Sequence, residues 1–128
     1  MKKYIRVIVL IISIATILSG LVQLIVPAFV LKQVGIEITP ATKQLFGTIG
    51  MFMLMFGGLV IHGLYSPYKN DVIILWSAFQ KFGAAIAVGI GILLGIFNLF
   101  AGCVALFDLC SGIIFIYYYK CLKADESY

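Results

Sequence analysis

Charge is scarce in this chain. Only 11% of its 128 residues are Asp, Glu, Lys or Arg, where an ordinary soluble domain carries about 25%. With 63% hydrophobic residues and a mean hydropathy of +1.16, a soluble fold of this size could not hide its apolar surface, so an integral membrane protein is expected. Other absences narrow the function. The cysteines Cys103, Cys110 and Cys121 contain no C-x-x-C pair, so a thioredoxin-like or quinone-linked disulfide centre has no motif. Cys103 and Cys110, seven apart on one helix, sit roughly 10 Å apart along its axis, too far for a disulfide. There is no G-x-S-x-G elbow, P-loop, Cys/His arrangement or paired carboxylates, so the chain reads as no enzyme, with no cofactor and no metal site. The net charge of +4 is scattered around apolar runs and forms no basic face with interleaved aromatics, which speaks against nucleic acid. Alternating ten-residue segments, the mark of a transmembrane barrel, are missing too.

What is present is four long apolar runs, at about 4–30, 41–65, 72–94 and 99–119, followed by a short polar tail, 120–128. Each reaches the ~20 residues that cross a hydrocarbon core about 30 Å thick. The expected fold is therefore all-α, a single transmembrane domain built as a four-helix bundle. The opening "MKKYIRVIVLIISIATILSG" has the basic end of a signal peptide. Its apolar run continues past the usual length without an A-x-A-like site, so an uncleaved first helix is expected.

Boundary signals agree with this division. Thr39-Pro40 reads as an N-cap followed by proline at the first helical position. Ser66-Pro67 ends the second span. Asp71 and Asn98 are the expected caps of the third and fourth, and "GIFN" is a tight turn that makes these two an antiparallel hairpin. Counting Lys and Arg places Lys2, Lys3, Arg6, Lys69, Lys120 and Lys123 on one side and Lys32 and Lys43 on the other. By the positive-inside rule both termini are cytoplasmic. Tyr4, Tyr65, Tyr68 and Tyr117–Tyr119 form an aromatic belt on that same side.

Small residues at helical spacing mark expected packing faces: Gly83, Ala87, Gly91 and Gly95 on the third span, and Gly47, Gly50, Gly57 and Gly58 on the second. Met51–Phe56 reads as lipid-facing or gap-filling bulk. Polar residues inside the spans are costly, roughly 2.5–3.5 kcal/mol for a charge at mid-helix, and draw functional attention. If the hairpin turn is centred near 96–97, Lys81 lies level with Gly112, one turn from Asp108. A Lys81–Asp108 ion pair is expected, with Ser77, Gln80 or Ser111 satisfying its remaining donors and acceptors. Gln23, one turn before Pro27, is expected to cross-link to another helix. His62 near a span end has no partner at metal-ligand spacing.

The stretches "SGLVQLIVPAFVLKQVGI", "QLFGTIGMFMLMFGGL", "WSAFQKFGAAIAVGIG" and "ALFDLCSGIIFIYYY", in that order, resemble the small four-helix bacterial membrane proteins of the DoxX-like grouping. The resemblance spans nearly the whole chain, through loose motifs of spaced Gly, Pro and isolated polar residues. Some members of that grouping are subunits associated with quinone-linked oxidases. The resemblance implies a multi-pass accessory protein of the bacterial plasma membrane and supplies no catalytic residues. Small multidrug transporters have a similar length, but their first helix carries a coupling glutamate and this one has no acid. Two expectations follow. One is a non-enzymatic membrane subunit or interaction protein, in contact with the bilayer and with a membrane-protein partner or further copies of itself. The alternative is a small carrier of a proton, cation or hydrophobic molecule using Lys81 and Asp108.

Overall fold

The computed structural model describes residues 2–68 and 70–126. Lys69, counted above with the basic side, and the end of the polar tail at 127–128 lie outside the described residues. The described chain is all helical: α1 Lys2–Ile25, α2 Pro27–Val34, α3 Pro40–Tyr65, α4 Asp71–Leu93 and α5 Ala101–Glu126. Four of these helices, of 23 to 26 residues, are long and apolar enough to cross a membrane. At 1.5 Å per residue they measure roughly 35–39 Å.

The first apolar run is not one helix, as the reading of 4–30 had it. Proline has no N–H and disfavours helical backbone in the residue before it. Val26 accordingly sits at φ −128°, ψ 65°. Its N–H still reaches the Val22 carbonyl at 2.8 Å, after which the chain restarts as the short α2. That helix ends at Gly35 in the left-handed region, φ 80°. There the Ile36 N–H returns to the Leu31 carbonyl at 3.0 Å, a glycine-terminated stop.

α3 begins as its sequence predicts. The Thr39 hydroxyl accepts from the Thr42 N–H at 3.1 Å, the Thr42 hydroxyl accepts from the Thr39 N–H at 2.9 Å, and Pro40 opens the helix. The start of α4 differs from expectation. Asn70, not Asp71, occupies the N-cap position, and Asp71 pairs instead with Lys123 at 2.8 Å. Asn98 accepts from the Phe100 N–H at 3.1 Å just before α5. It also donates through its main-chain N–H to the Val34 carbonyl and through its amide to the Gln33 carbonyl, both at 2.9 Å. The α4–α5 turn is thereby tied to the end of α2.

The polar tail is not a separate feature either. α5 continues helically to Glu126, and its last turns are docked by ion pairs: Lys123 with Asp71, and Asp125 with Lys2. The second pair brings both ends of the chain to the same end of the bundle. Arg6 at that end donates to the Leu64 carbonyl at 2.6 Å and lies over the Tyr65 ring.

α1 packs chiefly on α3 and α4 on α5, while α1 also meets α5 and α3 meets α4. All four long helices supply the core: Val9 and Ile12, Val60, Ile74 and Ala78, and Phe115 and Tyr118. Outside it, Leu18, Leu45, Phe52, Trp76, Ile86 and Leu106 are exposed. Within Met51–Phe56, Met51, Phe52 and Met55 face outward and the rest are half-buried.

The two expected glycine faces fare differently: on α3, Gly47, Gly50 and Gly57 are buried as expected. A Cβ on Gly50 would stand 2.6 Å from the Gly20 carbonyl, and one on Gly20 would stand 2.6 Å from the Gly50 carbonyl. Gly57 is as tight against Ile17 and the Ser13 carbonyl. The Gly20–Gly50 contact and that of Gly57 with the Ser13 carbonyl are close backbone approaches that a Cβ would block. On α4 the ladder does not pack on another helix. Gly83 is exposed with open space around it and Ala87 is exposed. Gly91 lies under the Phe97 ring, and Gly95 sits in the turn at φ 76°. The register turns Phe82, rather than Gly83, toward α5, where it covers Gly112. Gly58 on α3 likewise has open space around it.

Candidate functional site

The polar centre of the bundle is built by three helices. Lys81, eleventh of the 23 residues of α4, is 4% exposed, and Asp108 on α5 is 9% exposed. Lys81 Nζ lies 3.5 Å from Asp108 Oδ1 and 5.5 Å from the centre of the Phe107 ring. Its shortest bond goes elsewhere, to Thr16 Oγ1 on α1 at 2.6 Å. The Thr16 hydroxyl donates its own proton to the Ile12 carbonyl at 2.9 Å. An ammonium can only donate and this hydroxyl proton is already placed, so the polarity of the chain Lys81 to Thr16 to Ile12 is unambiguous.

Magnitudes show why the third helix matters. At 3.5 Å and an effective dielectric of 20, two unit charges attract by about 5 kcal/mol. Two charges at the middle of apolar helices cost a comparable sum, about 5–7 kcal/mol on insertion scales. The ion pair alone thus roughly balances its desolvation, and the Thr16 bond with the Phe107 ring face supplies further compensation. The arrangement holds α1, α4 and α5 at one point, where a missing partner would leave a buried charge.

The groups expected to complete the pair do not. Ser77 and Ser111 are both 2% exposed, and neither bonds Lys81 or Asp108 among the described residues. The Ser77 hydroxyl, one turn before Lys81, has no hydrogen-bond partner there. Gln80 is half-buried and bonds neither member of the pair among the described residues. Gln23 lies apart from this cluster: it is buried, and its amide donates to the Phe46 carbonyl on α3 at 3.0 Å. His62 is exposed, and the three cysteines are free. Among the described residues no group of three or more His, Cys, Asp or Glu could hold a metal.

Thr16 is the residue that sequence reasoning missed. The signal was a stripe on α1: Ser13, Thr16, Gly20 and Gln23, at spacings of three and four in an otherwise branched aliphatic helix. All four are buried, and Ser13 returns its hydroxyl to the Val9 carbonyl at 2.9 Å. The other carboxylates with described side chains are remote: Asp71 and Asp125 belong to the end that carries the termini, and Glu37 to the connection before α3. The chemistry available at the centre is thus one acid, one base and hydroxyls. No protein-family model, curated protein or solved structure matches this chain.

Proposed function

We propose that the chain is a multi-pass protein of the bacterial plasma membrane, with both termini cytoplasmic, acting as a non-enzymatic subunit or interaction protein. Supporting the orientation, Lys2, Lys3, Arg6, Lys120 and Lys123 belong to the end that carries the termini, and Lys32 and Lys43 to the other. The observation that carries the role is the closed surrounding of Lys81. Its ammonium is taken up by Thr16, Asp108 and the Phe107 face, an arrangement suited to fastening helices. The DoxX-like resemblance implies the same class of accessory protein.

Cross-linking and pull-down from native membranes tests this directly. A fixed membrane-protein partner, recovered in constant ratio, is the expected result. Recovery of the chain alone, under conditions that preserve known complexes of the same membrane, rejects the subunit reading.

A second reading, a small carrier of a proton, cation or hydrophobic molecule, is favoured by the unpartnered Ser77 hydroxyl beside the pair. It predicts flux in liposomes that Asp108→Asn abolishes while the helical content and elution of the protein stay unchanged. Equal flux in the variant, or none in the parent for protons, alkali cations and lipophilic cations, rules it out.

A further inference from the structure

The break between α1 and α2 opens a cleft of about 750 Å³ against the first turns of α3. This volume is within the range of small-molecule sites, about 300–1,000 Å³. Its walls are of two kinds. Leu24, Ile25 and Met51 are exposed apolar side chains, and Lys43, Gln44 and Thr48 rise from successive turns of α3. Among the described residues no acidic side chain lines it, and Lys43 has no ion-pair partner.

The main chain adds acceptors. Pro27 has no N–H for the Gln23 carbonyl, and α1 ends at Ile25, where the last carbonyls of a helix lack the donors of a following turn. A backbone opening of this kind, set in apolar surroundings, calls for a hydrogen-bonding occupant. The required molecule is therefore amphipathic. It needs an anionic group for Lys43, hydroxyl donors for carbonyls at the helix break, and an acyl chain for Leu24, Ile25 and Met51.

We infer that this cleft seats an anionic phospholipid with a glycerol headgroup, its phosphate on Lys43 and its chain along Leu24, Ile25 and Met51. A choline headgroup fits poorly, because it brings a second cation to Lys43 and no donor for the carbonyls. The inference rests on the membrane reading above, which carbonate extraction of native membranes tests separately.

The purified full chain in a non-ionic detergent is titrated with phosphatidylglycerol, with phosphatidylcholine of the same chains, and with soluble glycerol phosphate. Native mass spectrometry reads bound lipid, and thermal unfolding reads stabilisation. Phosphatidylglycerol is expected to co-isolate and raise the midpoint, with Lys43→Gln weakening it about fivefold and Lys32→Gln leaving it unchanged. Lys43 is exposed, so the unliganded variant should unfold at the parent's midpoint. Should it fold poorly, Thr48→Phe, which fills the cleft from another exposed position, replaces it with the same expected loss. Equal binding of phosphatidylcholine, or full binding by the cleft variants, overturns the inference. Stabilisation by glycerol phosphate alone overturns the lipid assignment in favour of a soluble anion.

Discussion

The two principal helix contacts of this molecule are made in opposite ways. α1 and α3 meet backbone to backbone, where Gly20 and Gly50 each stand against the other's carbonyl. α4 and α5 meet through a large side chain, Phe82, laid over Gly112. The connection explains the difference. α4 and α5 are joined by a short turn, itself held by Asn98 to the end of α2, so their register is set by the chain. α1 and α3 are separated by α2 and a loop, and must hold their register through the contact itself. On the membrane reading proposed above, helices in lipid lack a hydrophobic force between them, and close backbone approach supplies that hold.

The sharpest way to break this contrast is Gly50→Leu. A Cβ 2.6 Å from a backbone carbonyl cannot be relieved by a rotamer change, so the α1–α3 contact should separate with a loss above 3 kcal/mol, on the order of the largest packing penalties. Unfolding in mixed micelles, followed by circular dichroism, measures it. A loss of less than ~1 kcal/mol would show that the close approach is not needed.

Next in size is Asp108→Ala, which strands the Lys81 charge where α1, α4 and α5 converge. Truncating one partner of a buried pair costs about 3–5 kcal/mol, whereas replacing both by apolar residues is often near neutral. The double variant Lys81→Met with Asp108→Leu should therefore be more stable than Asp108→Ala alone. Additive losses in the same micelle assay would mean that the two charges do not depend on each other.

Thr16→Val keeps the shape and removes the acceptor of the Lys81 bond. It should cost about 1–3 kcal/mol, and the loss should vanish in a Lys81→Met background. A loss that persists there would assign it to the Ile12 carbonyl or to packing. Smallest of all is Gly83→Ala on the open face of α4. With nothing near its added Cβ, it should stabilise by up to ~1 kcal/mol through helix propensity. Destabilisation would reveal that this face is covered by another chain.

Particular residues show where reading the sequence stopped short. Hydropathy placed the long helices well, yet ran the first one through Pro27, because apolar character continues across a residue that the backbone cannot. α5 outlasted its apolar run because Lys123 and Asp125 find Asp71 and Lys2, charges contributed by other helices. The proximity of Lys81 and Asp108 followed from hairpin register, since both lie a fixed distance from one short turn. Thr16 could not be reached that way. It lies 65 positions from Lys81, and only the placement of α1 against the hairpin joins them. The α4 glycine ladder failed on the same ground, while on α3 Gly47, Gly50 and Gly57 are buried and only Gly58 faces open space: regular spacing defines a face without naming what stands opposite it.

What the sequence by itself determined is local: four helical runs long and apolar enough to cross a membrane, the start of α3 at Thr39 and Pro40, and a hairpin short enough to align its helices. These depend on backbone chemistry and neighbours within a few turns. Only the tertiary structure decided which glycines touch, that α1 donates Thr16 to the Lys81–Asp108 pair, and that Gly83 and Ala87 face outward. Those outcomes depend on the rotation of each helix about its own axis, which is settled by contacts between segments far apart in the chain.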